Sequence, residues 1–222
     1  MTTAELPSGS SPYFVTRLLE SGDSATMSKK TELLAAVAGK NRGLLANEID
    51  KVALLSAVAQ IEDQNPTPNP IARSDLLEGD WRLLYTTSRG VLGFDQYPLL
   101  QPGQIYQCIR ASQTRLYNIA EIAGVPFLEG LVAVSARFEP ASEQRINVKF
   151  ERSILGLQRL LDYRSANQFI QQIEAGKQFF PFDYSIENRN QQGWLDTTYL
   201  DEDLRIGRGD KGSVFVLAKE KS

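Results

Sequence analysis

The hydrophobic positions of this chain change period once. From Ser28 to about Asp63 they recur at helical spacing. In SKKTELLAAVAGKNRG, Leu33, Leu34 and Val37 fall on one helical face, and Gly39 suits a helix stop. Gly43 closes a turn. ANEIDKVALLSAVAQIED then spaces Ile49, Val52, Leu55, Val58 and Ile61 evenly, predicting an apolar stripe on a second helix. Two readings fit this segment: an antiparallel helix pair packed on a sheet, or a hairpin that binds a partner.

Pro66, Pro68 and Pro70 of NPTPNP cannot continue the helix and favour an extended connector. Beyond them the period becomes two. GDWRLLYTT places Trp81, Leu83 and Tyr85 on one face, and QIYQCIR and RLYNIAEI follow as strands. LVAVSARF aligns Val132, Val134, Ala136 and Phe138. RINVKFER sets Ile146, Val148 and Phe150 inward against Arg145, Asn147, Lys149 and Glu151 outward. LGLQRLLDYRSANQFIQQIEAG interrupts the strands with one helix carrying Leu157, Leu160, Leu161, Phe169, Ile170 and Ile173, stopped by Gly176. QFFPFDYSI, GWLDTTYL, DLRIGR and SVFVLAK complete the extended segments.

These elements predict a mainly β protein with a helical N-terminus (α+β), built as an antiparallel barrel of about eight strands. Closure would remove the exposed edges of such a set. The organisation read from the pattern is a loosely ordered extension over residues 1–27, a helical hairpin over 28–64, a Pro-rich connector over 65–75 and the barrel over 76–222. Within the extension, Tyr13, Phe14, Val15, Leu18 and Leu19 are the residues able to dock.

Composition narrows the chemistry. The 222 residues hold 24 basic and 27 acidic side chains, a net charge of −3, which gives no electrostatic basis for binding nucleic acid or for polybasic attachment to anionic lipid. There is no histidine, which removes Ser-His-Asp and Cys-His catalysis and every His-containing metal site. Cys108 is the sole cysteine, so neither an internal disulfide nor a Cys-cluster metal site can form. The expectation is a protein that is not an enzyme and carries no metal or cofactor. No apolar run reaches the roughly 20 residues of a membrane span. The N-terminal stretch has neither the basic start and apolar core of a signal peptide nor the acid-poor character of a transit peptide.

Several residues carry a specific expectation. Gly79-Asp80-Trp81 opens the first strand and resembles the start of a lipocalin barrel, where the Trp plugs the closed end under an Arg from the last strands. Period two puts Leu204, Ile206 and Arg208 on one face and Arg205 with Gly207 on the other, and Arg208 is the residue expected over Trp81. Arg208-Gly209-Asp210 spells an adhesion tripeptide but suits a hairpin turn better. Asp201, Glu202 and Asp203 read as a solvated turn with one member paired to Arg205 or Arg208, the alternative being cation binding or acid–base work. Cys108 reads as a small wall residue, and Phe179, Phe180 and Phe182 as barrel wall or a membrane-touching loop. An eight-stranded barrel is either filled by side chains or holds one small ligand. Its candidate cavity wall is Leu83, Tyr85, Ile105, Val132, Val134, Phe138, Ile146, Val148, Phe150, Tyr199 and Ile206.

Five blocks occur in order: KKTELLAAVAGKNRG, IEDQNPTPNP, LEGDWRLLYTTSRG, PGQIYQCI and TTYLDEDLRIGRGDKGSVFVL. Together they resemble the plastid lipid-associated protein (PAP/fibrillin) family over residues 28–220. The resemblance implies a lipocalin-like barrel and association with thylakoids and plastid lipid globules. It also implies a link to carotenoid, quinone or tocopherol lipids, to lipid homeostasis and to photoprotection, and it supplies no catalytic residues. Taken with the absent leader, it suggests a cyanobacterial member lying peripherally on the cytoplasmic side of the thylakoid membrane. The function expected is non-catalytic binding or shielding of a hydrophobic isoprenoid lipid. A surface coat without internal ligand, or an accessory factor in isoprenoid-quinone metabolism, is the alternative.

Overall fold

The helical pattern at the start of the chain forms two antiparallel helices in the computed structural model, which describes residues 24–88, 101–124, 126–186 and 192–221. Helix α1 (Ser24–Val37) buries Leu33, Leu34 and Val37, as their spacing predicts. Helix α2 (Glu48–Glu62) starts at a capping box in which Asn47 and Asp50 each accept a backbone N–H from the other. Its buried face is Leu54, Val58 and Ile61, while Ile49 and Val52 are exposed. The expected five-residue stripe therefore splits. Three residues span about 300° of a helix, so a strict spacing of three drifts about 60° per step and leaves the covered face. The N-terminal extension, with Tyr13 to Leu19, lies outside the described residues.

The proline segment is hydrogen-bonded to the barrel. Asn65 Oδ1 accepts from Leu200 N, and Thr67 Oγ1 donates to Leu200 O at 2.7 Å. A 3-10 turn (Pro70–Ala72) and the short helix α3 (Ser74–Leu77) follow, and their Ile71, Leu76 and Leu77 pack into the end of the barrel.

Among the described residues nine strands follow: β1 (Gly79–Thr86), β2 (Gln101–Arg110), β3 (Arg115–Ala123), β4 (Gly130–Pro140), β5 (Arg145–Leu157), β6 (Asp183–Ser185), β7 (Gln192–Leu200), β8 (Leu204–Gly209) and β9 (Val214–Lys219). All pairings are antiparallel. Eight strands close a ring in the order β1, β2, β3, β4, β5, β7, β8, β9, with β9 returning to β1, and β6 adds to the far part of β5. The expected barrel is present. Gly79 begins it at φ +134°, a conformation that L side chains rarely adopt, and a Cβ there would stand 2.8 Å from Lys219 Cε.

The late helix is shorter than its pattern. β5 continues to Leu157 because Gly130 to Leu131 of β4 pair with Gly156 and Leu157. One turn follows, ended by Asp162 at φ +53°, and α4 (Ala166–Glu174) begins behind Ser165, whose side chain accepts from Gln168 N. Phe169, Ile170 and Ile173 of α4 cover Tyr117, Ile119, Leu131 and Ala133 on the outside of the barrel. The α1–α2 pair covers Tyr85, Tyr199, Leu204, Ile206, Val214 and Val216 on the opposite outer wall.

The helix pair is fixed by charge as well as by packing. Lys30 of α1 is 1% exposed, and its Nζ lies 2.7 Å from Asp201 Oδ2. The same carboxylate accepts from Tyr199 Oη and from the backbone N–H of Asp203 and Leu204. Asp201 thus pairs with neither Arg205 nor Arg208, and the acidic turn is a clip between the barrel and α1. Asp201→Ala strands a buried ammonium, so urea unfolding should report a loss of about 3–5 kcal/mol. Lys30→Met leaves the carboxylate its three other donors and should cost clearly less.

Candidate functional site: the barrel lumen

Residues directly opposite one another on neighbouring strands project from the same face of a sheet. From Trp81 the register runs to Gln107 on β2, Asn118 on β3, Val134 on β4 and Ser153 on β5, and all five face the lumen. The same logic places Leu83, Ile105, Val132, Phe138, Ile146, Val148 and Phe150 inside.

The two halves of the lumen differ. At the sealed end, Trp81, Ile109, Leu116, Ala136, Phe138, Ile146, Val148, Leu200 and Leu217 pack with Leu77 into one buried cluster. Trp81 Nε1 donates to Leu77 O at 2.9 Å, and Lys219 Nζ donates to Leu76 O at 2.8 Å, so polar groups tie α3 down as a floor. Toward the other end, the inward Asn118, Ala120, Val132, Val134 and Ser153 are only half-buried, and Leu155 is 51% exposed. On β4 the usual order is reversed: outward Leu131 and Ala133 are buried beneath α4 while inward Val132 and Val134 are accessible. Among the described residues, the inward side chains are buried at the floor and partly accessible toward the other end.

A buried cation crosses the lower lumen. Arg205 faces inward from β8 and is 1% exposed, with its guanidinium 5.1 Å from the Trp81 ring centroid. Nη2 donates to Gln107 Oε1 at 2.5 Å, and Gln107 Nε2 donates to Asn118 Oδ1 at 3.1 Å. Nε has no hydrogen-bond partner, and Arg205 makes no ion pair among the described residues. Burial without a counter-charge lowers its pKa to about 9, which leaves it protonated at neutral pH.

Four expected positions are corrected. Arg208 faces outward and forms a two-point pair with Glu62 of α2 at 2.9 and 2.6 Å, so Arg205 rather than Arg208 lies over Trp81. Tyr85, Tyr199 and Ile206 face the α1–α2 pair, not the lumen. Tyr85 follows a bulge between Leu83 and Tyr85, and Tyr199 one between Thr197 and Tyr199; each extra residue inverts the alternation. Ile206 shares the outward face of Arg208. Gln107 and Asn118 were missed as site residues. Their signal was a polar residue in phase with Ile105 and Ile109, and another in phase with Leu116 and Ala120.

The remaining features fall outside the lumen. Cys108 lies buried on the outer face beneath α4, and burial pushes its thiol pKa well up, so it is not a poised nucleophile. Asp210 is in the β8–β9 turn, and the Arg of its tripeptide is engaged by Glu62. Phe179 is buried against Phe169, whereas Phe180 is 90% exposed. A cleft of about 770 Å³ between α4 and β3–β6 is charged, but its Arg152 already pairs with Asp183. No cluster able to hold a metal occurs among the described residues.

Comparison with known proteins identifies the family. Residues 27–218 match the PAP_fibrillin family model. A light-induced chloroplastic protein of Solanum demissum is 33% identical, the alignment covering 87% of this chain and 67% of that protein. The chromoplast-specific carotenoid-associated protein of Cucumis sativus is also 33% identical, over 87% and 68%. The plastid-lipid-associated protein of Citrus unshiu is 32% identical, over 87% and 68%. No solved structure matches the chain.

The placement of the two arginines can be measured by double-mutant cycles in urea. Arg205→Ala and Trp81→Phe should couple by about 0.5–2 kcal/mol, the range of a desolvated cation–aromatic contact. Arg208→Ala should be additive with Trp81→Phe and should couple with Glu62→Ala instead.

Proposed function

This chain belongs to the PAP_fibrillin (plastid lipid-associated protein) family, and from that premise we propose that its open half-barrel holds one hydrophobic isoprenoid lipid at a thylakoid surface. The ligand class is the carotenoid, prenylquinone or tocopherol type, and the role is to bind and shield it, in support of photoprotection and lipid homeostasis. The observation that carries this reading is the partial accessibility of the inward apolar residues Val132, Val134 and Leu155 above a sealed floor. A filled barrel would bury them. Each ligand methylene covered there adds about 0.8 kcal/mol, so a prenyl chain gains affinity without any polar catalyst. The printed names of the cucumber and citrus relatives, carotenoid-associated and plastid-lipid-associated, support the same ligand class.

The outer surface supports a peripheral membrane position. No described helix is long and apolar enough to cross a bilayer. Around the open end, Phe127 and Leu128 on the β3–β4 connection are 74% and 55% exposed, and Leu160 beyond β5 is 62% exposed. Gln158 N donates to Glu129 O at 2.9 Å and ties these two segments together. This rim also favours the second reading, a coat protein that touches lipid without an internal ligand. A cyanobacterial origin on the cytoplasmic side of the membrane fits both readings.

Organic extraction of protein purified without detergent separates them. A near-stoichiometric pigment, quinone or tocopherol is the expected result. An empty extract from protein that still floats with thylakoid-lipid liposomes would establish the coat instead. Val134→Trp should lower the extracted lipid several-fold with little loss of stability.

A further inference from the structure

Resting on the reading that the barrel binds lipid, the geometry points to a head-first ligand. The lumen presents a hydrogen-bond donor to an oxygen acceptor, a carbonyl or carboxylate, at the leading end of an apolar chain. The inference follows from the polarity of the chain Arg205–Gln107–Asn118. A guanidinium only donates, so Gln107 must turn its Oε1 to Arg205. Its Nε2 is then committed as a donor, and Asn118 must accept through Oδ1. Asn118 is left with its Nδ2 hydrogens at the far end. No alternative assignment of the two amides satisfies all the contacts, because reversing Gln107 would set N–H against N–H.

The free end of this chain lies among inward residues that are only half-buried. Arg205 is fully buried against Trp81, but Gln107 and Asn118 are half-buried and face the accessible half. Val134 lies directly opposite Asn118, and Val132 with its partner Leu155 lies one inward position farther from the floor. The positive charge behind the two amides strengthens their donors, and no carboxylate among the described residues offsets it. An apolar chain entering from the mouth would meet hydrocarbon wall first and a donor last. Ligands without an oxygen at the inner end would leave that donor dry and unpaired, which is costly.

Trp194→Phe leaves Trp81 as the only tryptophan, next to the end of the chain. Binding of a decyl-substituted benzoquinone is read by quenching of Trp81, with oleic acid and squalene as competitors. The quinone and the acid should bind, with squalene at least about tenfold weaker, the size of one hydrogen bond to a polarised donor. Asn118→Leu should weaken both headed probes by a similar factor and leave squalene unchanged or improved. Asn118→Asp, which offers only acceptors, should abolish binding of oleic acid. The relative affinities of oleic acid and the quinone then distinguish a carboxylate from a carbonyl head. Squalene competing as well as oleic acid, or Asn118→Leu weakening all three equally, would overturn the head-first inference while keeping the lipid-binding barrel. Failure of every probe to bind would overturn both.

Discussion

The buried guanidinium of Arg205 is the constraint around which this barrel is arranged. A charge with so little exposure and no carboxylate partner among the described residues must be held by dipoles and by an aromatic face. Trp81 supplies the face and Gln107 the dipole. Both requirements restrict neighbouring strands. Trp81 must lie inward at the start of β1, which needs the positive-φ Gly79 two residues earlier, and Gln107 must occupy the lumen position opposite it on β2. The indole N–H then reaches Leu77, so the floor helix is positioned by the same residue. One buried cation thereby links β8, β1, β2 and the plug.

The walls are stiffened from outside. Helix α4 covers the outer faces of β2–β4, and the α1–α2 pair covers those of β1 and β7–β9. These strands are apolar on both sides, as Tyr106 and Cys108 outside and Ile105 and Ile109 inside illustrate. Charge fixes both helices of the α1–α2 pair, Lys30 of α1 through Asp201 and Glu62 of α2 through Arg208. With packing energy supplied by the outer layers, the lumen need not be filled for the barrel to stand. The accessible Val132 and Val134 follow from that division of labour.

The same two-sided packing explains what could be read in advance. Strand order, barrel closure and the tryptophan at the floor were legible because Trp81, Val148 and Phe150 alternate cleanly with polar neighbours. On β5, Asn147 and Lys149 face solvent, and the phase is unambiguous. On β8 it is not. Leu204 and Ile206 are apolar because they face helices, and the inward positions are Arg205 and Gly207. Assigning the apolar set to the lumen moved Arg208 inward with it. Bulges at Leu84 and Thr198 caused the errors at Tyr85 and Tyr199, since an inserted residue inverts alternation without a compositional mark. The polar lumen chain was hidden for a related reason: Gln107 and Asn118 occupy positions where periodicity expects hydrocarbon.

The distribution of polar groups along the lumen has a directional consequence. At the floor, Trp81 and Lys219 donate to Leu77 O and Leu76 O, and Arg205 donates through Nη2 to Gln107 while its Nε has no partner. The mouth is rimmed by Phe127, Leu128, Leu155 and Leu160, with Val132 and Val134 just inside. A lipid moving from an apolar surface past this rim exchanges hydrocarbon for hydrocarbon, and its chain loses no hydration on the way. Only the leading atoms meet a polar group. On the proposed reading, entry would be governed by the hydrophobic contacts of the tail, and orientation by the Asn118 end of the Arg205–Gln107–Asn118 chain. In the proposed head-first binding, separating the two tasks in space would let a barrel without histidine select a lipid by its head while gaining affinity from its tail.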